Sequence, residues 1–266
     1  MQVYKILRNL IIVMLFTSLY ACNEKSNENV NKKIANPQSA INNALKISDF
    51  PRSPLFDDAK LTNMTYKDGS FSFNVNSETY QLGSQTSDAG NKMCANSGKG
   101  QHIHLIINDN PYAAKYTSQF DYEVPDGDHY LLAFLSRSYH ESIKSPTAHI
   151  GKKVSVKNNS ITSEQDIDQP MLFYSRPKGT YVGDDTKKVM LDYYLLNPVQ
   201  GQYVVAKING TVKELKKWRP YFLDGLPMGE NTIELTLVNA DGSKVDTPLN
   251  PVTRTFTLKE NPEDKM

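Results

Sequence analysis

The chain has 266 residues, of which 30 are basic and 29 acidic, so its charges nearly cancel at a formal net +1. No basic stripe interrupts that balance, which excludes the electrostatic footprint of a nucleic-acid-binding protein. Cysteine occurs only at positions 22 and 94, too few for a disulfide-stapled scaffold, so a chain long enough for one large or two small domains must be held by its apolar core.

Met1, Lys5 and Arg8 precede an apolar run from Leu10 to Tyr20, and Ala21-Cys22 follows. A basic start, a short apolar region and a small residue before cysteine read as a secretory signal. The run falls short of the ~20 apolar residues that a spanning helix needs. "LYAC" at 19–22 resembles the lipobox of bacterial lipoproteins, whose cysteine becomes the acylated N-terminus after cleavage. The resemblance makes residues 1–22 a lipoprotein signal and Cys22 the lipidation site, with palmitate and the membrane as its partners. Cys94 is then the one remaining thiol. Asn23-Glu24 argues against retention in the inner membrane, which points to the outer membrane, facing the periplasm or the cell surface. Residues 23–50, Asn-rich and poor in large apolar side chains, read as a flexible tether.

From residue 51 onward the pattern is β throughout. A first domain is expected over 51–169 and a second over 170–260, because one unit occurs twice. "GQHIHLIIND" at 100–109 lies over "GQYVVAKING" at 201–210, and "KYTSQFDYEVPDGDHYLLAFL" at 115–135 lies over "KWRPYFLDGLPMGENTIELTL" at 217–237. "FSFNV" and "VMLDYYLL" precede the two copies, and "KKVSVK" and "TRTFTLK" close them. Short alternating strands with turns at this spacing predict β-sandwiches, whose strands are lettered B, C, E, F and G here. "VPDGDHYLLAFL" and "LPMGENTIELTL" resemble the E–F turn and F strand of bacterial immunoglobulin-like domains. The expected fold is all-β: two tandem immunoglobulin-like sandwiches, with Tyr116 matching Trp218 and Phe120 matching Phe222 on strand E.

Alternation sorts strand C into two faces. Ile103, Leu105 and Ile107 match Val204, Ala206 and Ile208 and are predicted to face the core. His102, His104 and Ile106 match Tyr203, Val205 and Lys207, and the lysine places that face outward. On strand F, Leu131, Ala133 and Leu135 are core-facing, while Leu132 and Phe134 lie outward beside Ile106. That apolar strip calls for a cover, either the segment around Pro54-Leu55-Phe56, the second domain or an outside partner. Histidines occur at 102, 104, 129, 140 and 149, all in the first domain. His129 is read as a structural hydrogen-bonding residue replaced by Asn231 in the second copy.

His140 belongs to the F–G loop "SRSYHESIKSPTAH". This loop opens at the same pole as the long B–C loop "GSQTSDAGNKMCANSGKG", for which the second copy has only "NPVQG". Loops on a rigid sandwich carry function. His102, His104, Arg137, Tyr139, His140 and Lys144 are therefore the candidate ligand-binding residues, suited to a peptide, a glycan or an anionic ligand. Substitutions copying the second repeat, His102→Tyr and His104→Val, are then expected to cost at most about 1 kcal/mol in stability. The alternative is a periplasmic copper or zinc site using His102, His104, Cys94 and His140, with Met93 beside the thiol. A structural envelope lipoprotein without a small ligand is the third reading. No catalytic residues are assigned, because no Gly-x-Ser-x-Gly elbow, phosphate loop, zinc-protease helix or dinucleotide fingerprint is present, and no cofactor follows.

"GKGQHIHLIIND", "FLSRSYHES" and "LFYSRPKGTYVG" resemble stretches of a family of uncharacterised secreted lipoproteins from Gram-negative bacteria. Some members of that family carry the label phosphopeptide-binding. The resemblance implies a secreted, β-rich, membrane-anchored binding protein and supplies no catalytic residues.

Overall fold

The computed structural model describes residues 45–261. The signal, the lipidated Cys22 and most of the tether expected from the sequence lie outside the described residues. Alternating apolar side chains build seventeen strands. They run β1 Lys46–Asp49, β2 Lys60–Lys67, β3 Ser70–Asn76, β4 His102–Ile107, β5 Ala113–Lys115, β6 Gln119–Asp121, β7 Gly127–Ser136, β8 His149–Lys157 and β9 Ser160–Asp166. They continue as β10 Met171–Arg176, β11 Gly179–Val182, β12 Val189–Leu196, β13 Tyr203–Ile208, β14 Thr211–Leu215, β15 Tyr221–Asp224, β16 Gly229–Val238 and β17 Val252–Lys259. The protein is all-β.

In the second sandwich β1-β15-β12-β10 faces β11-β17-β16-β13-β14. The first strand switches sheets: β10 pairs antiparallel with β12, and β11 pairs parallel with β17. That switch, with C, F and G in one sheet and B and E in the other, is the immunoglobulin-like arrangement. The first sandwich sets β2-β3-β6 against β5-β4-β7-β8-β9, with β9 added beyond strand G. Ile103, Leu105, Ile107, Leu131, Ala133 and Leu135 all enter its core, as alternation predicts, and Val204, Ala206 and Ile208 enter that of the second.

The two copies share one corner bond for bond. Asn108 and Asn209 both adopt positive φ, 55° and 46°. Their side-chain oxygens accept from the backbone N–H of Tyr130 and Thr232, each at 2.9 Å. His129 Nε2 meets the Pro125 carbonyl at 2.8 Å, where Asn231 donates to Pro227 at 2.9 Å. His129 is thus a corner residue, as its replacement by Asn231 suggested.

Strand E departs from the repeat. Phe120 pairs with Phe71 and leans on the first core. Phe222 pairs with Met190 on the face away from the second core, which takes Tyr221 and Leu223 instead. A one-residue slip reverses every side chain on a strand. The expected equivalence of Phe120 with Phe222 therefore fails, and Tyr116 and Trp218 precede β6 and β15 rather than lying on them.

The tether also ends earlier than residue 50. Lys46–Asp49 pairs antiparallel with β15, Lys46 opposite Asp224 and Asp49 opposite Tyr221. Leu45 and Ile47 pack on the second core, and Phe50 is buried. The chain thus adds an edge strand to the second sandwich before it builds the first.

The outward strip of strands C and F is covered by that second sandwich. Ile106, Leu132 and Phe134 cluster with Met171 and Phe173 of β10 and with Tyr194 and Leu196 of β12. Leu55, part of the segment considered as a cover, is exposed, while Phe56 belongs to the first core. Full burial of a side chain of this size contributes about 1.5–3 kcal/mol. A seam of seven such residues makes the two sandwiches one unit, and the described residues 45–261 are compact as a whole.

Candidate metal centre

Burial of the outward face takes the histidines with it. His102 and His104 on β4 point away from the first core into the layer between the sandwiches, and both are 0% exposed. The expectation that they lie on an open face is corrected by this packing: alternation read the direction, and the second sandwich supplied the cover. His140 reaches them from the F–G loop. Its φ of 70° is unusual for a residue with a side chain, and it is partly exposed.

The three rings converge. His102 Nε2 lies 2.8 Å from His104 Nε2 and 3.0 Å from His140 Nδ1, and one nitrogen from each ring fits within 4.8 Å of the others. Outer contacts fix the rings. His102 Nδ1 donates to the Gly100 carbonyl at 2.8 Å, Ser175 Oγ of β10 meets His104 Nδ1 at 3.3 Å, and the Tyr112 hydroxyl meets His140 Nδ1 at 3.1 Å. Tyr112 also stacks flat on His104, with centroids 3.6 Å apart and planes 7° apart.

Protons alone satisfy this cluster poorly. A carbonyl only accepts, so His102 Nδ1 carries its ring's proton and His102 Nε2 presents a single lone pair. His104 Nε2–H can donate to that lone pair, which leaves His140 Nδ1, met also by the Tyr112 hydroxyl, 3.0 Å from it with no proton to share. Burial holds the rings neutral. It pushes His102 down to about 4, partly opposed by the Gly100 bond, and puts His104 and His140 well below the usual range. The Arg176 and Lys178 charges press in the same direction. Neutral imidazoles are the ligand form, and the outer bonds at His102 Nδ1 and His104 Nδ1 aim their Nε2 atoms inward, whereas the Tyr112 hydroxyl meets the inward Nδ1 of His140 itself. An ion held at about 2.0–2.1 Å needs roughly 3.3–3.5 Å between its nitrogens, so the two short contacts open while the group, which spans up to 4.8 Å, draws together around it.

The other expected site residues are occupied elsewhere. Arg137 is buried, pairs with Glu141 at 3.6 Å, donates to the Pro54 carbonyl and lies over the Phe56 ring. Tyr139 is 0% exposed and packs with Phe50, Met190 and Phe222. Lys144 Nζ pairs with the fully buried Asp192 of β12 at 2.7 Å. The anticipated open pole is a docking surface for the second sandwich and the N-terminal segment. Cys94 stands apart from the imidazole group, beside Phe50 and Tyr139, with its thiol pushed up to about 11 by burial. Met93 is exposed. Neither extends the donor set.

Tyr112, Ser175, Arg176 and Lys178 complete the surroundings and were not singled out from the sequence. Arg176 donates to the Tyr139 carbonyl at 3.1 Å and to the Tyr181 hydroxyl, and Lys178 Nζ sits 4.2 Å above the Tyr112 ring. A separate cavity of about 480 Å³ opens where the N-terminal segment crosses both sandwiches, lined by Arg52, Asp57, Arg137, Glu141, Lys144 and Arg219 among others.

No protein-family model and no curated protein matches the chain. Among solved structures, the fibronectin(III)-like modules of Clostridium thermocellum CbhA are 13% identical, covering 34% of this chain and 99% of that one at a TM-score of 0.27. The SGBP-B protein of the Bacteroides ovatus mixed-linkage glucan utilization locus, in complex with a mixed-linkage heptasaccharide, is 9% identical, covering 82% of this chain and 71% of that one at a TM-score of 0.20. At such TM-scores neither likeness speaks to what this chain binds.

Proposed function

We propose that this protein is a non-catalytic, lipid-anchored envelope protein that binds a transition-metal ion between its two sandwiches, through His102, His104 and His140. The observation that supports this most directly is the convergence of three neutral imidazole nitrogens that protons satisfy poorly. His104 touches Ser175 of the second sandwich, so an ion there also ties the two sandwiches together. The anchor is Cys22, and the folded part faces the periplasm or the cell surface. The test is metal analysis of the full chain extracted from membranes in detergent, followed by titration with copper and zinc. One bound equivalent, lost in His140→Ala with the circular dichroism spectrum unchanged, is the expected result. A folded protein that takes up neither metal at micromolar concentrations overturns it.

A second reading, recognition of an anionic ligand, is favoured by the cavity at the N-terminal crossing. Four basic residues border it against two acidic ones, Asp57 and Glu141, and burial raises the Glu141 carboxyl above its usual range. A thermal-shift screen of phosphopeptides and acidic glycans tests this reading, with Arg52→Ala as the variant expected to abolish any response.

A further inference from the structure

From the same site, and resting on the metal-binding reading above, we infer that the ion is cuprous copper rather than a divalent cation such as zinc. The donor set carries no charge. Three neutral imidazoles converge, and the group includes no carboxylate and no thiolate. The charges that act on the rings are those of Arg176 and Lys178, both positive. Arg176 is 4% exposed and is held by the Tyr139 carbonyl and the Tyr181 hydroxyl, so it does not swing away. Coulomb repulsion scales with the charge of the incoming ion, so a divalent ion meets twice the repulsion that a monovalent one meets, in a setting that screens poorly.

Coordination number points the same way. Zinc in proteins takes four ligands, with water in the fourth place when the protein gives only three. A further oxygen is the Tyr112 hydroxyl, 3.1 Å from His140 Nδ1 on a ring that stacks on His104, and it is a phenol rather than a carboxylate. Phe134 packs against His104, with ring centroids 5.0 Å apart. Cupric copper prefers a tetragonal set of nitrogen and oxygen donors, which this layer does not offer. Cuprous copper has a filled d shell, carries one charge and is content with two or three imidazoles. It suits a dry, uncharged, three-nitrogen pocket, with His140 as the partly exposed side through which it enters.

The experiment uses the full chain in detergent under anaerobic conditions. Copper(I) is titrated against the chromophoric chelator bicinchoninate, and zinc(II) separately against a pyridylazo indicator. The expected result is one equivalent of copper(I) and no zinc binding at 10 times the protein concentration. Cys94→Ser should leave copper(I) affinity unchanged, and His140→Ala should lower it at least 100-fold. Lys178→Glu, which replaces a neighbouring positive charge with a negative one, should raise zinc affinity at least tenfold and copper(I) affinity less. Zinc bound as tightly as copper(I), or zinc alone, overturns the inference and leaves the metal-binding reading standing. Copper(I) binding that survives His140→Ala but disappears in Cys94→Ser overturns it too, since the ion would then sit at the thiol. A folded protein that binds neither ion overturns both.

Discussion

His104→Val copies the residue that the second repeat carries at the matching position, Val205, and in an open strand face it would cost little. The structure raises the expected cost. His104 is 0% exposed and stacks on Tyr112 at 3.6 Å, and such a pair is worth about 0.5–1.5 kcal/mol beyond its area. It meets His102 Nε2 at 2.8 Å, a hydrogen bond worth about 1 kcal/mol. Ser175, 1% exposed, loses the ring nitrogen its hydroxyl meets, and a buried group left short of a partner costs about 1–3 kcal/mol. A loss of about 3 kcal/mol in total is expected for the chelator-treated protein, since these contributions exist without an ion. For a chain of this size that lowers Tm by roughly 6–12 °C. The assay is urea and thermal unfolding of wild type and variant in excess chelator, followed by circular dichroism. A loss below 1 kcal/mol would mean that the layer between the sandwiches is loose enough to hydrate the site, and the burial argument for neutral imidazoles would fall with it.

Lys144→Met leaves Asp192 buried with only the Ser142 backbone N–H as partner, and is expected to cost about 3 kcal/mol. Adding Asp192→Asn should recover most of that loss in a double-mutant cycle, and no recovery would show the pair to be uncoupled. Gly100→Ala should destabilise by about 2 kcal/mol or more, because φ is 86° and the new Cβ would stand 2.3 Å from the Gly83 carbonyl oxygen. Equal unfolding midpoints would refute the backbone placement. In chelator, folding stability should be complete above pH 6.5 and decline as pH falls toward 4. The unfolded histidines take up protons in that window before the folded ones do, and His102 alone accounts for about 3 kcal/mol at 1.36 kcal/mol per pH unit. A flat profile between pH 7 and 4.5 contradicts the buried, neutral cluster. Cys22→Ser is expected to lose palmitate labelling and membrane association, and unchanged fractionation would remove the lipid anchor from the proposal.

Strands C and F were legible in the sequence because each alternates cleanly and each has a second copy to check it. The core positions and the shared Asn108/His129 and Asn209/Asn231 corner follow from that comparison. Three features were not legible, for different physical reasons. Alternation reports a direction relative to one core, so it found the Ile106–Leu132–Phe134 strip and could not say that Met171, Phe173, Tyr194 and Leu196 lie over it. Strand E is three or four residues long in each copy, too short for its phase to be fixed by pattern, and the slip at Phe222 passed unseen. β1 is four residues of ordinary propensity after an Asn-rich stretch, and becomes a strand only because the β15 edge is there to pair with it. The site divides along the same line. His102, His104 and His140 were visible as candidates, whereas the sequence did not show that Arg137, Tyr139 and Lys144 meet Glu141, Phe50 and Asp192.

The opening pattern of the strand, histidine alternating with core residues, bears on fold and function differently once both copies are seen. In the second sandwich the same strand face carries Tyr203, Val205 and Lys207, none of them fully buried. In the first it is buried, and a buried face is filled at least cost by apolar side chains, as Ile106, Leu132 and Phe134 fill their part of it. Imidazoles in that place are penalised: burial depresses the protonation of all three, which records how poorly the layer solvates them as ions. The stack on Tyr112 and the outer hydrogen bonds return a part of that penalty, and the surplus of nitrogens around one lone pair returns none. An ion that turns three crowded nitrogens into ligands removes the conflict that packing by itself leaves in place. The histidines are therefore positioned by the fold and unexplained by it, and the proposed metal would account for their number and their convergence.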